Sequence, residues 1–282
     1  MDDNILDLQK KVARLATVAR ANKRKAQVRN NRPVTFPVWP EAVRSAPNAI
    51  LRSALFGVVR KGKRTNRDGA ALVPSVKGVV IEIKRGESLD QNDLEIWEEV
   101  VHLARQAEPG SRLEVPVRQL LEALGRQPGK PNRQWAYDSL RRLYSCEIKV
   151  VMEKEGIEFE GPLIQRLVIE TGKPIALQLD PGLAVLWEPG WTRQNQQQRH
   201  ALGQNQLAKW LHAFYGTHKR PHPYKVETLR DLCGSRTKEL KKFRQQLKTA
   251  AVLVNHATGW QVILDENDLL HVIKHGPKAV DN

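Results

Sequence analysis

An α+β chain, with two tandem winged-helix domains preceded by a flexible basic N-terminal tail, is the fold that the sequence predicts. Three observations point to it. The last third orders its patterns as helix, helix, helix and hairpin, the winged-helix plan, with a tight break at Gly234-Ser235. The middle of the chain repeats that order of elements, although no residue-level repeat accompanies it. The 282 residues, 40% of them hydrophobic, suffice for two cores at roughly 100 to 200 residues per domain.

Charge divides the chain in the same way. The formal net charge is +15, from 46 basic and 31 acidic residues. Residues 1–35 hold 9 basic and 3 acidic side chains, 51–190 hold 21 and 20, and 191–282 hold 15 and 7. The excess therefore sits in the tail and the last third, and a chain this basic suits a polyanionic partner.

In chain order, residues 1–30 open on a weak helical pattern (Ile5, Leu8, Val12, Leu15) that runs into Lys23, Arg24, Lys25 and Arg29. Prolines 33, 37, 40 and 47 forbid a continuous helix, so 1–49 are expected to be a flexible basic tail and linker. The first winged-helix domain is expected over 50–190, with helices at 50–60, 89–107, 116–124 and 132–144. Strands follow at 146–153, 157–159, 163–171 and 175–179. The polar run 192–199, readable as a loop or as a first helical turn, marks the boundary. The second domain, 191–282, begins with a long helix over 196–215 and breaks at Pro221 and Pro223.

The second domain carries the strongest functional pattern. Val226, Leu229, Leu232 and Cys233 lie on one face of a short helix that Gly234-Ser235 ends. The next helix is expected from near Thr237, as N-cap, with Ser235 as the alternative cap and Glu239 in the first turn. At about 100° per residue, Leu240, Phe243, Leu247, Ala250, Ala251 and Val254 form its core stripe. The outward side carries Lys238, Lys242, Gln245 and Thr249, flanked by Lys241 and Lys248. Such a helix suits the major groove, where Gln can pair with an adenine edge and Lys reaches guanine or phosphate. Arg236, Arg244 at the core edge, and Lys274 beyond the hairpin join the expected DNA contacts. In the first domain the matching helix offers Arg133, Gln134, Arg141 and Arg142, and its near-neutral surroundings make it the auxiliary reader. That same neutral domain is the expected dimerisation unit.

Enzyme chemistry finds no support, and neither cofactor nor metal is expected. The run Gly125-Arg126-Gln127-Pro128-Gly129-Lys130-Pro131 fails as a phosphate loop on length and on its final Pro. His218-Lys219-Arg220-Pro221-His222 has the wrong spacing for the metal site of a rolling-circle nicking enzyme. Cys146 and Cys233 lack paired Cys neighbours for zinc. Seven of the eight His follow residue 199 and are expected at the surface, the wing or the DNA backbone. Apolar runs are too short for a membrane span, and two cysteines without a signal peptide suggest the reduced cytosol.

The run Tyr224-Lys225-Val226-Glu227-Thr228-Leu229-Arg230-Asp231-Leu232-Cys233-Gly234, with Lys238-Glu239-Leu240-Lys241-Lys242-Phe243-Arg244, resembles the TrfA family of iteron-binding replication initiators from broad-host-range IncP plasmids. The opening Met1-Asp2-Asp3-Asn4-Ile5-Leu6-Asp7-Leu8-Gln9-Lys10 resembles the start of that family's shorter translation product. The resemblance implies a cytoplasmic, plasmid-associated protein that binds direct repeats (iterons) in double-stranded origin DNA as a monomer, with a homodimer as inactive store. It implies opening of the adjacent AT-rich region, with the single strand as a further partner, and recruitment of the host sliding clamp, helicase and chromosomal initiator. Clamp contact in such initiators uses a motif resembling Gln-Leu-Ser-Leu-Phe. Arg52-Ser53-Ala54-Leu55-Phe56 keeps its final pair, making Leu55 and Phe56 the clamp candidates; Ile5-Leu6-Asp7-Leu8-Gln9 matches less. A winged-helix transcriptional repressor is the alternative that shares every charge and motif named above.

Overall fold

The computed structural model describes residues 35–59 and 62–274. Residues 1–34 of the expected tail and linker, with the Leu6 and Leu8 run, and His275 and Lys278 lie outside the described residues. The chain mixes helices and strands around two clusters of buried side chains, one spanning Trp39 to Trp187 and one Leu202 to Val272.

The first cluster begins earlier than expected. Trp39 is 2% exposed, and Phe36 packs edge-on against Trp187 at 5.0 Å, so the Pro-rich stretch contributes core residues. Strand β1 (Val43–Pro47) leads into a single helical turn, α1 (Asn48–Leu51). The helix expected over 50–60 stops there for a local reason. Ser53 Oγ donates to the Ile50 carbonyl at 2.7 Å and accepts from Leu55 N at 3.2 Å, which diverts the backbone from helical bonding. The chain turns instead into β2 (Phe56–Gly57).

The chain then forms β3 (Asn66–Val73) and β4 (Val79–Glu87), paired antiparallel. After β5 (Leu89–Asp90), helix α2 (Gln91–Ala104) starts on a reciprocal cap: Asp90 accepts from Asn92 N and Asp93 N, and Asp93 accepts from Asp90 N. Its Trp97 is stacked near Phe56 and Trp187, at the centre of the first core. Next come β6 (Arg112–Val115), α3 (Val117–Ala123), α4 (Lys130–Ser145), β7 (Glu147–Met152), β8 (Ile157–Pro162), β9 (Arg166–Val168) and β10 (Ile175–Gln178). They form an antiparallel sheet ordered β3-β4-β7-β8 and a smaller one ordered β6-β10-β9.

The polar run at the expected boundary is neither loop nor helical turn at its start. It forms β11 (Trp191–Asn195), antiparallel to β1 from Val43↔Asn195 to Pro47↔Trp191. The long helix expected over 196–215 is two helices, α5 (Gln196–Ala201) and α6 (Gln206–Gly216). Gly203, at φ +59°, breaks the run, and Asn205 caps α6 by accepting from Ala208 N at 2.9 Å.

Strand β12 (Tyr224–Lys225) precedes α7 (Val226–Leu232) and α8 (Leu240–Thr258), and β13 (Gln261–Leu264) and β14 (Leu269–Ile273) form the hairpin. Together the strands make a sheet ordered β12-β14-β13. Helix α8 starts at Leu240, with Glu239 rather than Thr237 at the N-cap position, and ends on Gly259 at φ +72°. The Thr237 hydroxyl faces Gln246 instead, at 3.1 Å.

The two halves meet along a seam. Val58 N donates to the Cys233 carbonyl at 2.7 Å. A Cβ on Gly234, whose φ is +66°, would lie 3.0 Å from Ala54 Cβ, so the turn between α7 and α8 needs glycine on both counts.

Candidate nucleic-acid interface

Helix α8 buries Phe243, Leu247, Ala250, Ala251 and Val254, as its periodicity predicts, which turns the opposite side to solvent. Lys238 just before it, and Lys241, Lys242, Gln245, Lys248 and Thr249 within it, are exposed. None of those four lysines stands in an ion pair with a carboxylate among the described residues. Gln245 is exposed on the same side, with one side-chain amide that can both donate and accept. Thr249 Oγ1 donates back to the Gln245 carbonyl at 3.2 Å and keeps an accepting oxygen. Two exposed residues on this side were not anticipated. Gln246 lies on one flank, and Val252, 57% exposed, sits one turn beyond Lys248.

Several expected contacts have other work. Arg244 donates to Asp268 through Nε at 2.6 Å and through a second, shorter bond, tying α8 to the hairpin turn. The pairing holds the Asp268 carboxyl below its ordinary range. Asp268 itself is at φ +59°, and this anchor holds it there. Lys274 Nζ donates to the Gly216 and His218 carbonyls, at 3.2 and 2.7 Å, capping the end of α6, and lies 4.6 Å from the Trp260 ring. Burial lowers its ammonium to about 8. Its charge serves the α6 terminus and is not presented to a ligand.

The first half's set divides similarly. Arg133, Gln134 and Arg141 are exposed on α4. Asp138 accepts from Gln134 at 2.8 Å and from Arg141 at 3.0 Å, so this face carries its own internal acceptor. Arg142 is drawn inward to the fully buried Asp93, at 2.8 Å, where Arg64 also binds at 2.8 Å and Ser139 donates. It holds α4 onto α2 and belongs to the core of the first half.

Leu55 and Phe56 are 1% and 2% exposed, against Trp97 and the first core. A peptide-like clamp motif must offer those side chains at the surface, so the structure removes them as clamp contacts. The histidines also need correction. His212 is buried, stacks on Trp260 at 5.5 Å, and is held by burial at about 3, so it is a neutral core residue. Among the described residues, no group of three His, Cys, Asp or Glu could hold a metal ion. No helix among them is long and apolar enough to cross a membrane. Both cysteines are buried free thiols, pushed to about 12 by burial.

A cleft of about 1610 Å³ runs along the seam. The second half lines it with Arg236, Lys238, Lys242, Gln246 and Thr249, and the first half with Lys63, Arg64, Arg67, Arg126 and Trp135. Arg236 crosses the seam, donating to the Lys63 carbonyl at 3.3 Å and to Thr65 Oγ1. The near-neutral first half therefore concentrates part of its positive charge on the side facing α8.

Comparison with known proteins agrees with this architecture. The chain is 26% identical over 283 residues to the plasmid replication initiator protein TrfA of Escherichia coli, covering 94% of this chain and 71% of that protein. Among solved structures, RctB domains 2 and 3 superpose with a TM-score of 0.50 at 15% identity, over 80% of this chain and 96% of theirs. A selenomethionine derivative of the same two domains gives 0.49 at 14%, with the same coverage. At 15% identity, the likeness to RctB domains 2 and 3 with the TM-score of 0.50 shows a shared mixed helix-and-strand fold and no more. The family model described as TrfA protein matches residues 4–274, and the chain belongs to the TrfA family.

Proposed function

We propose that this protein is a plasmid replication initiator that binds direct repeats in double-stranded origin DNA, with α8 as the main reading helix in the major groove. In this reading each half is a winged-helix domain. The order α6, α7, α8, hairpin supports it in the second half, and α2, α3, α4, β7-β8 support it in the first. The observation that carries the reading is the outward side of α8. Lysines without ion-pair partners surround Gln245 and Thr249, which pairs phosphate neutralisation with base-edge hydrogen bonding on one helix. Membership of the TrfA family and the name of the E. coli relative support the initiator role over other uses of such a helix.

The protein is proposed to act without catalysis of its own: monomers bind repeats, the adjacent AT-rich duplex opens, host replication proteins are recruited, and dimers form through the first half. A transcriptional repressor would share the reading helix and leave the duplex closed. Adding the protein to supercoiled origin DNA and probing for single-strand-sensitive sites separates the two. Sites confined to the AT-rich region are expected; a fully closed duplex at saturating protein would make the chain a repressor.

A further inference from the structure

We infer that the seam cleft binds one sugar-phosphate backbone of the DNA duplex that α8 reads, through a strip of cations that neither half could form alone. The inference rests on the reading of α8 as the DNA-reading helix and extends it to residues outside any recognition helix. Six cations carry it: Lys63, Arg67 and Arg126 from the first half, and Arg236, Lys238 and Lys242 from the second. They come from four separate places, namely the loop before β3, β3 itself, the loop between α3 and α4, and the segment from the α7–α8 turn into α8. None is in an ion pair with a carboxylate among the described residues.

The contrast with their neighbours is informative. Arg64 and Arg142 line the same cleft; Arg64 is bound to both Asp90 and Asp93 and Arg142 to Asp93, so they form the wall. The other cations make no ion pair among the described residues, although Asp231 and Glu239 line the cleft with them. Arg126 lies with its guanidinium carbon 3.6 Å from the centre of the Trp135 ring, and burial disfavours its charge. A half-buried guanidinium fixed in place, on which Glu95 and Asp90 act only through space and not as ion-pair partners, is placed to accept an anion from outside. Lys238 just before α8, and Lys242, Gln246 and Thr249 on it, occupy the flank facing the cleft, whereas Lys241, Gln245 and Lys248 do not line it. A helix whose outer edge enters a major groove has a phosphate strand along its flank. The strip continues that flank across the seam toward β3.

Continuity requires the halves to hold their relative position, and the seam supplies bonds for this. Besides the Val58 to Cys233 contact, Arg52 donates to Thr217 Oγ1 at 2.7 Å and to the Thr217 carbonyl at 2.8 Å. Lys209 reaches Glu95 at 2.8 Å, and Arg236 bridges to Lys63 and Thr65.

The test uses the full chain carrying Lys63→Ala and Arg67→Gln, both outside the packed cores, with Arg126→Gln added separately because Arg126 covers Trp135. Fluorescence anisotropy on a repeat duplex and a scrambled duplex across a salt series reads out affinity and slope. Each lost phosphate contact removes about 0.9 from the slope of log K against log salt. The double variant should therefore lose a slope of roughly 2, and about 50-fold to 100-fold in affinity at 0.1 M salt, equally on both duplexes. Lys173→Ala, on an exposed turn where Lys173 pairs with Glu170 away from the cleft, should leave both unchanged. An unchanged slope in a double variant with wild-type melting behaviour overturns the strip. So does a loss confined to the repeat duplex, because backbone contacts carry no sequence information. If the wild type itself fails to prefer repeats while the double variant still loses slope, the initiator reading fails and the strip stands.

Discussion

Two glutamates one turn apart on α2 should respond oppositely to the same substitution. Glu95 faces two buried cations from the second half, Lys209 at 2.8 Å and Arg199 at 3.4 Å, each 4% exposed at the side chain. Glu95→Gln leaves both without a carboxylate and should cost about 3 to 5 kcal/mol, the usual cost of removing one partner from a buried charge cluster. Glu98 is also buried, accepts from Gln194, and is pushed up to about 7, chiefly by burial and also by Glu95, against the pull of Arg199. Because its folded value lies above the ordinary 4.5, its contribution to stability is complete below that value and is lost as pH rises through about 7. Each decade of proton affinity is worth about 1.4 kcal/mol, so the loss reaches about 3 kcal/mol by pH 8. Glu98→Gln fixes the neutral form and can still accept from Gln194. Urea denaturation of wild type and variant between pH 4.5 and 8 measures this directly. The variant should be more stable by a few tenths of a kcal/mol at pH 4.5 and by about 3 kcal/mol at pH 8. Other titrating groups cancel in that difference. A difference that does not change with pH would refute the assignment of a neutral Glu98 at the seam.

Other expectations follow from the interface and its supports. Gln245→Ala should lower discrimination between repeats and scrambled DNA by about 1 to 3 kcal/mol, whereas Lys241→Ala should weaken both alike, as read by competition binding. Arg244→Ala and Asp268→Ala should weaken repeat binding to the same degree, and the double variant should be no worse than either single one; additive losses would mean Arg244 touches DNA itself. His212 is held at about 3, below its ordinary 6.5, so its contribution is present above 6.5 and is lost as pH falls, by up to about 5 kcal/mol near pH 3. Replacing it with Gln should flatten the acid limb of wild-type stability, seen in thermal melts between pH 4 and 7.

Local pattern made much of the fold legible. The stripe from Phe243 to Val254, the hairpin strands and the core face of α2 follow from periodicity, since one buried face determines which residues can be apolar. Strand β11 did not show because Thr192, Arg193, Gln194 and Asn195 carry no hydrophobic alternation; its evidence is β1, about 150 residues away by sequence. Helical spacing at Leu55 and Phe56 was misleading because Ser53 redirects the backbone just before them. In the site, the exposed lysines of α8 were readable from the helix alone. Arg142, Arg244 and Lys274 were not, because Asp93, Asp268 and the α6 carbonyls that occupy them are distant in sequence. Lys63, Arg67 and Arg126 gave no signal, since only the seam brings them beside α8.

The most direct test of α8 as a reader of origin repeats is the affinity of the monomeric chain for a tandem-repeat duplex and a scrambled duplex, followed by anisotropy across a salt series. With six to eight phosphate contacts, log K should fall with log salt at a slope of roughly −5 to −7 on both, with much tighter binding to the repeats. Equal affinity for the two duplexes, or a slope near zero, would contradict it.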